Sequence, residues 1–180
     1  LFEPNLVLGR ANKFFLNSCE KIFCYTDQIK SFPNRFKNKI VLVNPLVREE
    51  FYRKNYNSIK KNQFNLLVIG GSQGARIFDK NLRHSIVNLS KKYSIKITQQ
   101  TNEKNISNLV QFYSENKIKN FIFSFNQNLR EIIQDSDLCI TRAGASTLAE
   151  LSILNIPFLA VPLPTSKDNH QLENANFYKN

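Results

Sequence analysis

From residue 64 onward, short apolar runs alternate with longer stretches of helical periodicity, and this alternation constrains the fold more than any other feature of the chain. Leu66-Leu67-Val68-Ile69 is apolar at every position, the pattern of a strand covered on both faces. Residues 75–93 follow as a helix, with Ile77, Leu82, Ile86 and Leu89 close to one face. Further strands are expected at 95–99, 120–124, 138–141 and 157–161. Helices are expected at 103–116, 129–134 and 146–154, with another starting near His170. Parallel strands need long crossovers and helices supply them, so this order predicts a Rossmann-like parallel α/β sheet.

The first stretch is less complete. Residues 8–17 read as a helix and 22–25 and 40–43 as strands, with a polar segment containing Pro33 between the strands. This is the expected last part of a second Rossmann-like domain. Asn44-Pro45 then breaks the chain, and the polar stretch 53–63 suits a linker. The expected organisation is thus the end of one domain over 1–48, a linker over 49–63, and a second domain over 64–180. A chain of 180 residues without Met, opening on Leu1-Phe2-Glu3-Pro4 and closing in the middle of a helical pattern, reads as a piece of a longer protein.

Composition excludes several classes. The 25 Lys and Arg against 14 Asp and Glu give a net charge of +11, which favours anionic partners. The excess is mostly Lys spread along the chain without an Arg-rich block, so it reads as a solvated basic surface and no nucleic-acid partner is expected. Cys19, Cys24 and Cys139 follow no zinc spacing, and His84 and His170 lie far apart, so no metal site is expected. The longest apolar runs, 66–71 and 156–163, fall far short of the ~20 residues that span a bilayer.

Three segments carry candidate chemistry. Gly70-Gly71-Ser72-Gln73-Gly74-Ala75 follows an apolar strand directly and opens a helix. Gly70, Gly71 and Gly74 let the backbone turn tightly and approach a ligand, and helix N-terminal amides suit phosphate. A plain strand-to-helix turn with Ser72 as its cap explains the same residues. A second glycine turn follows the strand at 138–141: Arg142-Ala143-Gly144-Ala145-Ser146-Thr147-Leu148-Ala149-Glu150. Gly144 admits a ligand, the Ser146 and Thr147 hydroxyls suit phosphate, and the Glu150 carboxylate suits the paired hydroxyls of a ribose. Thr147-Leu148-Ala149-Glu150 equally matches a capping box, which needs no ligand. The third segment, Pro162 through Gln171, gathers Asp168, Asn169, His170 and Gln171, donors and acceptors together as a sugar requires. An exposed loop with Asp168 or Asn169 capping the last helix is the alternative. Loops at one end of a parallel sheet converge on a crevice, where such sheets bind ligands.

These segments, with Glu3-Pro4-Asn5, Asn44-Pro45-Leu46-Val47-Arg48, Phe125-Asn126 and Asn174-Ala175, resemble the MurG family of glycosyltransferases, in an order that runs through nearly the whole chain. The resemblance implies the two-domain GT-B architecture. It also implies transfer of N-acetylglucosamine from UDP-N-acetylglucosamine to lipid I, forming lipid II in peptidoglycan synthesis. The family works without a bound metal or other cofactor, as a peripheral protein on the anionic cytoplasmic face of the bacterial inner membrane. On this resemblance Asn5 helps hold the donor sugar, Arg48 and Ser72 face the UDP-sugar, and Asn126 reaches uracil through its backbone. Ala145, Ser146, Thr147, Leu148, Ala149 and Glu150 hold phosphate and ribose, with Glu150 on the ribose hydroxyls, and His170 and Gln171 contact N-acetylglucosamine. The chain departs from the family in having Val43 where Gly precedes Asn-Pro, and in Leu46-Val47, which sets Arg48 one residue farther from Pro45. The family's His, its proposed general base, is expected upstream of Leu1. Another GT-B enzyme with a different UDP-sugar or acceptor, or a non-catalytic anion- or nucleotide-binding module, are the alternatives.

Overall fold

The computed structural model describes residues 1–53 and 63–179, and for 71–75 the backbone only. Contacts divide the chain into two compact units. One comprises Leu1–Arg48, Ala143–Glu150 and Val161–Asn180, the other Glu49–Arg142 and Leu151–Ala160.

In the first unit, β1 (Phe2–Glu3), β2 (Ile22–Cys24) and β3 (Ile40–Leu42) form a parallel sheet in the order β1-β2-β3, with α1 (Arg10–Phe15) between β1 and β2 along the chain. Leu8, Leu16, Ile22, Cys24, Ile29 and Phe32 form its core. The expected helix at 8–17 is shorter at both ends. Its C-terminal side is closed by Lys39, whose Nζ donates to the carbonyls of Leu16 at 2.8 Å and Cys19 at 2.7 Å, satisfying groups left without helical partners. The segment after Pro33 is a 3-10 turn, Asn34–Lys39. Strand β1, two residues long, is not anticipated by the sequence pattern.

The remaining elements are β4 (Phe64–Ile69), α2 (Gly71–Asn81), α3 (Arg83–Ser90), β5 (Ile95–Gln100), α4 (Ile106–Glu115), β6 (Lys119–Phe123), α5 (Leu129–Gln134), β7 (Leu138–Thr141), α6 (Ala145–Ile153), β8 (Phe158–Ala160) and α7 (His170–Phe177). The five strands form one all-parallel sheet in the order β6-β5-β4-β7-β8. This is the expected Rossmann-like sheet. Its strand order reverses between β4 and β7, and ligands bind beside such a point at the carboxyl ends of the strands. Gly70 follows β4 and Arg142 follows β7, one on each side of it.

The single helix expected over 75–93 is two helices that begin earlier, at Gly71, and break at Leu82. Of the expected face, Ile86 is buried and Leu82 packs against the core, but the two ends of that face are not buried. Phe78 and Ile86 are buried whereas Ile77 and Leu89 are exposed. Phe78, Leu82 and Ile86 recur every four residues, so they share one face and pack onto Leu66, Val68, Ile97, Leu109 and Tyr113. Beside this apolar core, Asp79 on α2 is buried with its donors in place. Gln99 Nε2 donates to it at 2.7 Å, Thr101 Oγ1 at 2.6 Å and Asn105 Nδ2 at 2.8 Å, and the Tyr113 hydroxyl donates on to Gln99 Oε1 at 2.8 Å. The network ties α2 to β5 and α4.

Candidate functional site

In the second unit, Gly70 is the N-cap of α2, buried and without a side-chain cap. The glycines therefore stand at the helix start itself, Gly71 and Gly74 within the first turn, rather than in a loop before it. The first amides of α2 have no partner inside the helix and point out of its N-terminal end. The side chain of Ser72 lies outside the described residues. Arg142, at the end of β7, is buried with its guanidinium 5.2 Å from the centre of the Phe78 ring, so it packs against the same helix. Burial lowers its pKa from the ordinary guanidinium value, and the guanidinium keeps its charge. Asn126 lies just before α5. Its Oδ1 accepts from the Asn128 amide at 2.8 Å, so its side chain shapes a local turn.

The first unit holds most of the other residues singled out. Helix α6 starts at Ala145, with the Leu148 amide donating to the Gly144 carbonyl at 3.0 Å, so Gly144 occupies the N-cap position. This corrects the capping-box explanation. Thr147 lies inside the helix and Glu150 stands in the second turn, too far along to reach an N-cap amide. Among the described residues a Cβ at Gly144 would meet no atom within 4 Å, so their packing does not require glycine there. Ser146 is exposed and Ala145 and Thr147 half-buried, whereas Leu148 and Ala149 are fully buried and offer only backbone. Glu150 is 8% exposed. Its Oε1 lies 3.3 Å from Arg48 Nε, which pairs two residues singled out independently and 102 positions apart.

The segment before α7 contains two successive left-handed residues, Asp168 (φ 56°) and Asn169 (φ 55°), both of types that tolerate this conformation. Asn169 holds the N-cap position without a side-chain cap bond, and Asp168 lies 3.7 Å from Arg10, so neither caps α7 as the alternative supposed. His170 Nδ1 is 2.7 Å from the Lys167 carbonyl. A carbonyl only accepts, so Nδ1 carries the hydrogen and in the neutral ring Nε2 is left as the acceptor. Gln171 Oε1 accepts from the Leu163 amide at 2.9 Å, which fixes the side chain and turns its NH2 outward from that bond.

Asn5 is held by residues whose roles the sequence did not reveal. Glu3 is buried, and its carboxylate accepts from Asn5 Nδ2 and the Asn5 amide, both at 3.2 Å, from the Gly9 amide at 2.7 Å and from Asn12 Nδ2 at 2.9 Å. On the other side, Asn5 Oδ1 accepts from Asn174 Nδ2 at 3.1 Å. The visible signal is an acid two residues before Asn5 and a glycine six residues after that acid. A cavity of about 590 Å³ in this unit, with Lys30 and Glu173, ion-paired at 2.8 Å, in its lining, is lined by none of the predicted site residues. Among the described residues, no group of three or more His, Cys, Asp or Glu is placed to hold a metal ion, and no helix is long and apolar enough to cross a membrane.

A parallel Rossmann-like sheet with helix starts of glycine after β4 and β7 has the build of a GT-B glycosyltransferase domain. The chain belongs to glycosyltransferase family 28, whose C-terminal domain matches residues 65–180. It is similar over 99% of its length, at 54% identity, to the Pelagibacter ubique UDP-N-acetylglucosamine--N-acetylmuramyl-(pentapeptide) pyrophosphoryl-undecaprenol N-acetylglucosamine transferase, of which the match covers 50%. It is 35% identical, over 97% of the chain and 52% of the relative, to the Rickettsia felis protein of the same name. The crystal structure of Acinetobacter baumannii MurG superposes on 98% of the chain and 49% of its own with a TM-score of 0.75 at 23% identity, showing the same fold. The chain spans about half the length of the curated relatives it matches.

Proposed function

We propose that this chain is the donor-handling part of an enzyme that transfers N-acetylglucosamine from UDP-N-acetylglucosamine to lipid I, forming lipid II. The observation that carries the reading is Glu150, a nearly buried carboxylate on a helix whose N-cap glycine faces open space. A carboxylate repels a phosphate but accepts hydrogen bonds from the two hydroxyls of a ribose. A nucleoside diphosphate supplies both, its phosphates toward the amides at the start of α6 and its ribose one turn further along. Arg48, beside Glu150, adds positive charge. His170 Nε2 and the Gln171 NH2 offer one acceptor and donors to the sugar, with Asn5. On the family resemblance, Gly70, Gly71, Ser72, Gly74 and the Asn126 backbone are also proposed as donor contacts. Residues 1–48 belong in this reading to the acceptor-side domain, 49–63 to a linker and 64–180 to the donor domain.

The chemistry is inverting transfer. The acceptor hydroxyl attacks the anomeric carbon, the bond from that carbon to the UDP oxygen breaks on the opposite face, and the hydroxyl proton passes to a base. Charge develops on the departing diphosphate, where helix amides oriented in advance lower the barrier. These residues handle the leaving group, and none of them is assigned as the base. Phe14 and Phe15, exposed on α1 beside Arg10 and Lys13, suit an anionic membrane surface, in keeping with a peripheral enzyme on the cytoplasmic leaflet. Calorimetric titration tests the reading. UDP-N-acetylglucosamine should bind and UDP should displace it, without competition from random oligonucleotides. Salt-dependent oligonucleotide binding that UDP leaves untouched would instead favour a general anion-binding module.

A further inference from the structure

Asn174 lies on α7 one turn beyond His170, and no ligand role falls to it, yet it is completely buried. Its carboxamide is used in full on the donor side. Nδ2 donates to Asn5 Oδ1 at 3.1 Å and to the Ala143 carbonyl at 3.1 Å, while Oδ1 accepts from the Leu6 amide at 3.0 Å. Three chain segments meet at this one side chain: the turn at Asn5-Leu6, the residue preceding Gly144, and the helix that begins with His170 and Gln171. The Leu6 amide decides which way the carboxamide faces, because reversing it would set an NH2 against an N–H and an oxygen against two carbonyl oxygens. That choice passes on to Asn5. With Oδ1 turned to Asn174 and Nδ2 turned to Glu3 Oε1, the Asn5 carboxamide has one orientation that satisfies both neighbours.

We propose that Asn174 is a positioning residue for sugar recognition, acting through Asn5, whose carboxamide it holds in a single orientation. The inference rests on the donor reading above, in which Asn5 touches the sugar. Asn5 has one N–H and one lone pair beyond those bonds, and their directions are set by the amide orientation Asn174 imposes. Reversing the Asn5 amide exchanges donor for acceptor at the sugar, which changes what it can recognise without moving the backbone.

Asn174→Asp tests this in the complete gene product. The aspartate still accepts from Leu6 but presents oxygen to Asn5 Oδ1, so no orientation of the Asn5 amide satisfies both its neighbours and the single orientation is lost. The affinity for UDP-N-acetylglucosamine should fall about tenfold, the loss of roughly one hydrogen bond, while UDP binds within about twofold of the parent. Asn174→Ser, smaller and able to make only some of the bonds, should give the same preference in weaker form and serves if the aspartate variant does not fold. On an Asn5→Ala background neither change should alter the ratio of the two affinities further. An unchanged ratio in folded variants, equal losses for both ligands, or losses additive with Asn5→Ala would overturn the proposal. A parent protein that binds UDP but not UDP-N-acetylglucosamine would overturn the donor-sugar reading itself, and the inference with it, in a way that the parent titration alone distinguishes.

Discussion

Replacing Glu150 by alanine separates two roles that its carboxylate combines. One is the ion pair with Arg48, whose side chain is 50% exposed. A pair with one partner so well solvated contributes at most about 1 kcal/mol, so the unliganded protein should lose little stability. The other role, hydrogen bonds from ribose hydroxyls to an ionised acceptor, contributes about 1.5–3 kcal/mol. Affinity for UDP should therefore fall roughly 10- to 150-fold. Glu150→Gln, which keeps an acceptor oxygen and loses the charge, should lie between the two proteins. Arg48→Ala supplies the control. Were Glu150 present only to hold Arg48, that variant would reproduce the full loss and the double variant would add nothing. Calorimetry with UDP, paired with thermal melts without ligand, reads both quantities. A Glu150→Ala protein that binds UDP within twofold of the parent would refute the ribose assignment.

Gly144→Ala should lower the melting temperature only slightly, because its Cβ meets no described residue within 4 Å while alanine is a poorer N-cap than glycine, and should weaken UDP binding by steric exclusion; unaltered binding would show that no ligand approaches there. Asp79→Ala strands the Gln99, Thr101 and Asn105 donors and should lower unfolding free energy in urea by about 3 kcal/mol or more. Burial, followed by the Glu3 carboxylate, pushes the Cys24 thiol from 9.0 up to about 11, and burial, followed by Tyr25, pushes the Tyr178 hydroxyl from 10.0 up to about 12. The folded state holds these protons more tightly. The stability they contribute is complete below pH 9 and is lost as pH rises through 11 to 12, which urea midpoints across that range should record. At pH 8 an alkylating reagent should label half-buried Cys19 in the native protein and spare buried Cys24 and Cys139.

The parallel sheet was legible because its central strands are apolar throughout and its crossovers carry helical periodicity. Strand β7 and helix α5 fall on the expected residues, 138–141 and 129–134. The helix after β4 misled because Ile77 and Phe78 are adjacent and both apolar. Hydrophobicity alone does not choose between them, and only packing onto the sheet turns Phe78 inward. Strand β1 has two residues and so no period to detect. At the candidate site, sequence identified residue types but not partners. Arg48 with Glu150 and Asn5 with Asn174 are separated by 102 and 169 positions, and nothing in local spacing joins them. The capping-box alternative for Thr147 fails for a related reason. Gly144, Ser146 and Thr147 can each begin a helix, and the first of them does.

Glu3 and Gly9 bind the evolutionary fates of two positions together. The carboxylate accepts from the Gly9 amide, and a Cβ at residue 9 would lie 3.0 Å from Glu3 Oε2. Gly9 is not in a left-handed conformation, with φ −65°, so it is glycine for want of room rather than for backbone freedom. Replacing it should be harmful while Glu3 is present and milder once Glu3 has become smaller. A pairwise mutational library would reveal this as epistasis, the double change costing less than the sum of the single ones. Losing Glu3 in turn releases Asn5 and Asn12, so a lineage that escaped through residue 9 would have to give up the anchoring of Asn5 as well.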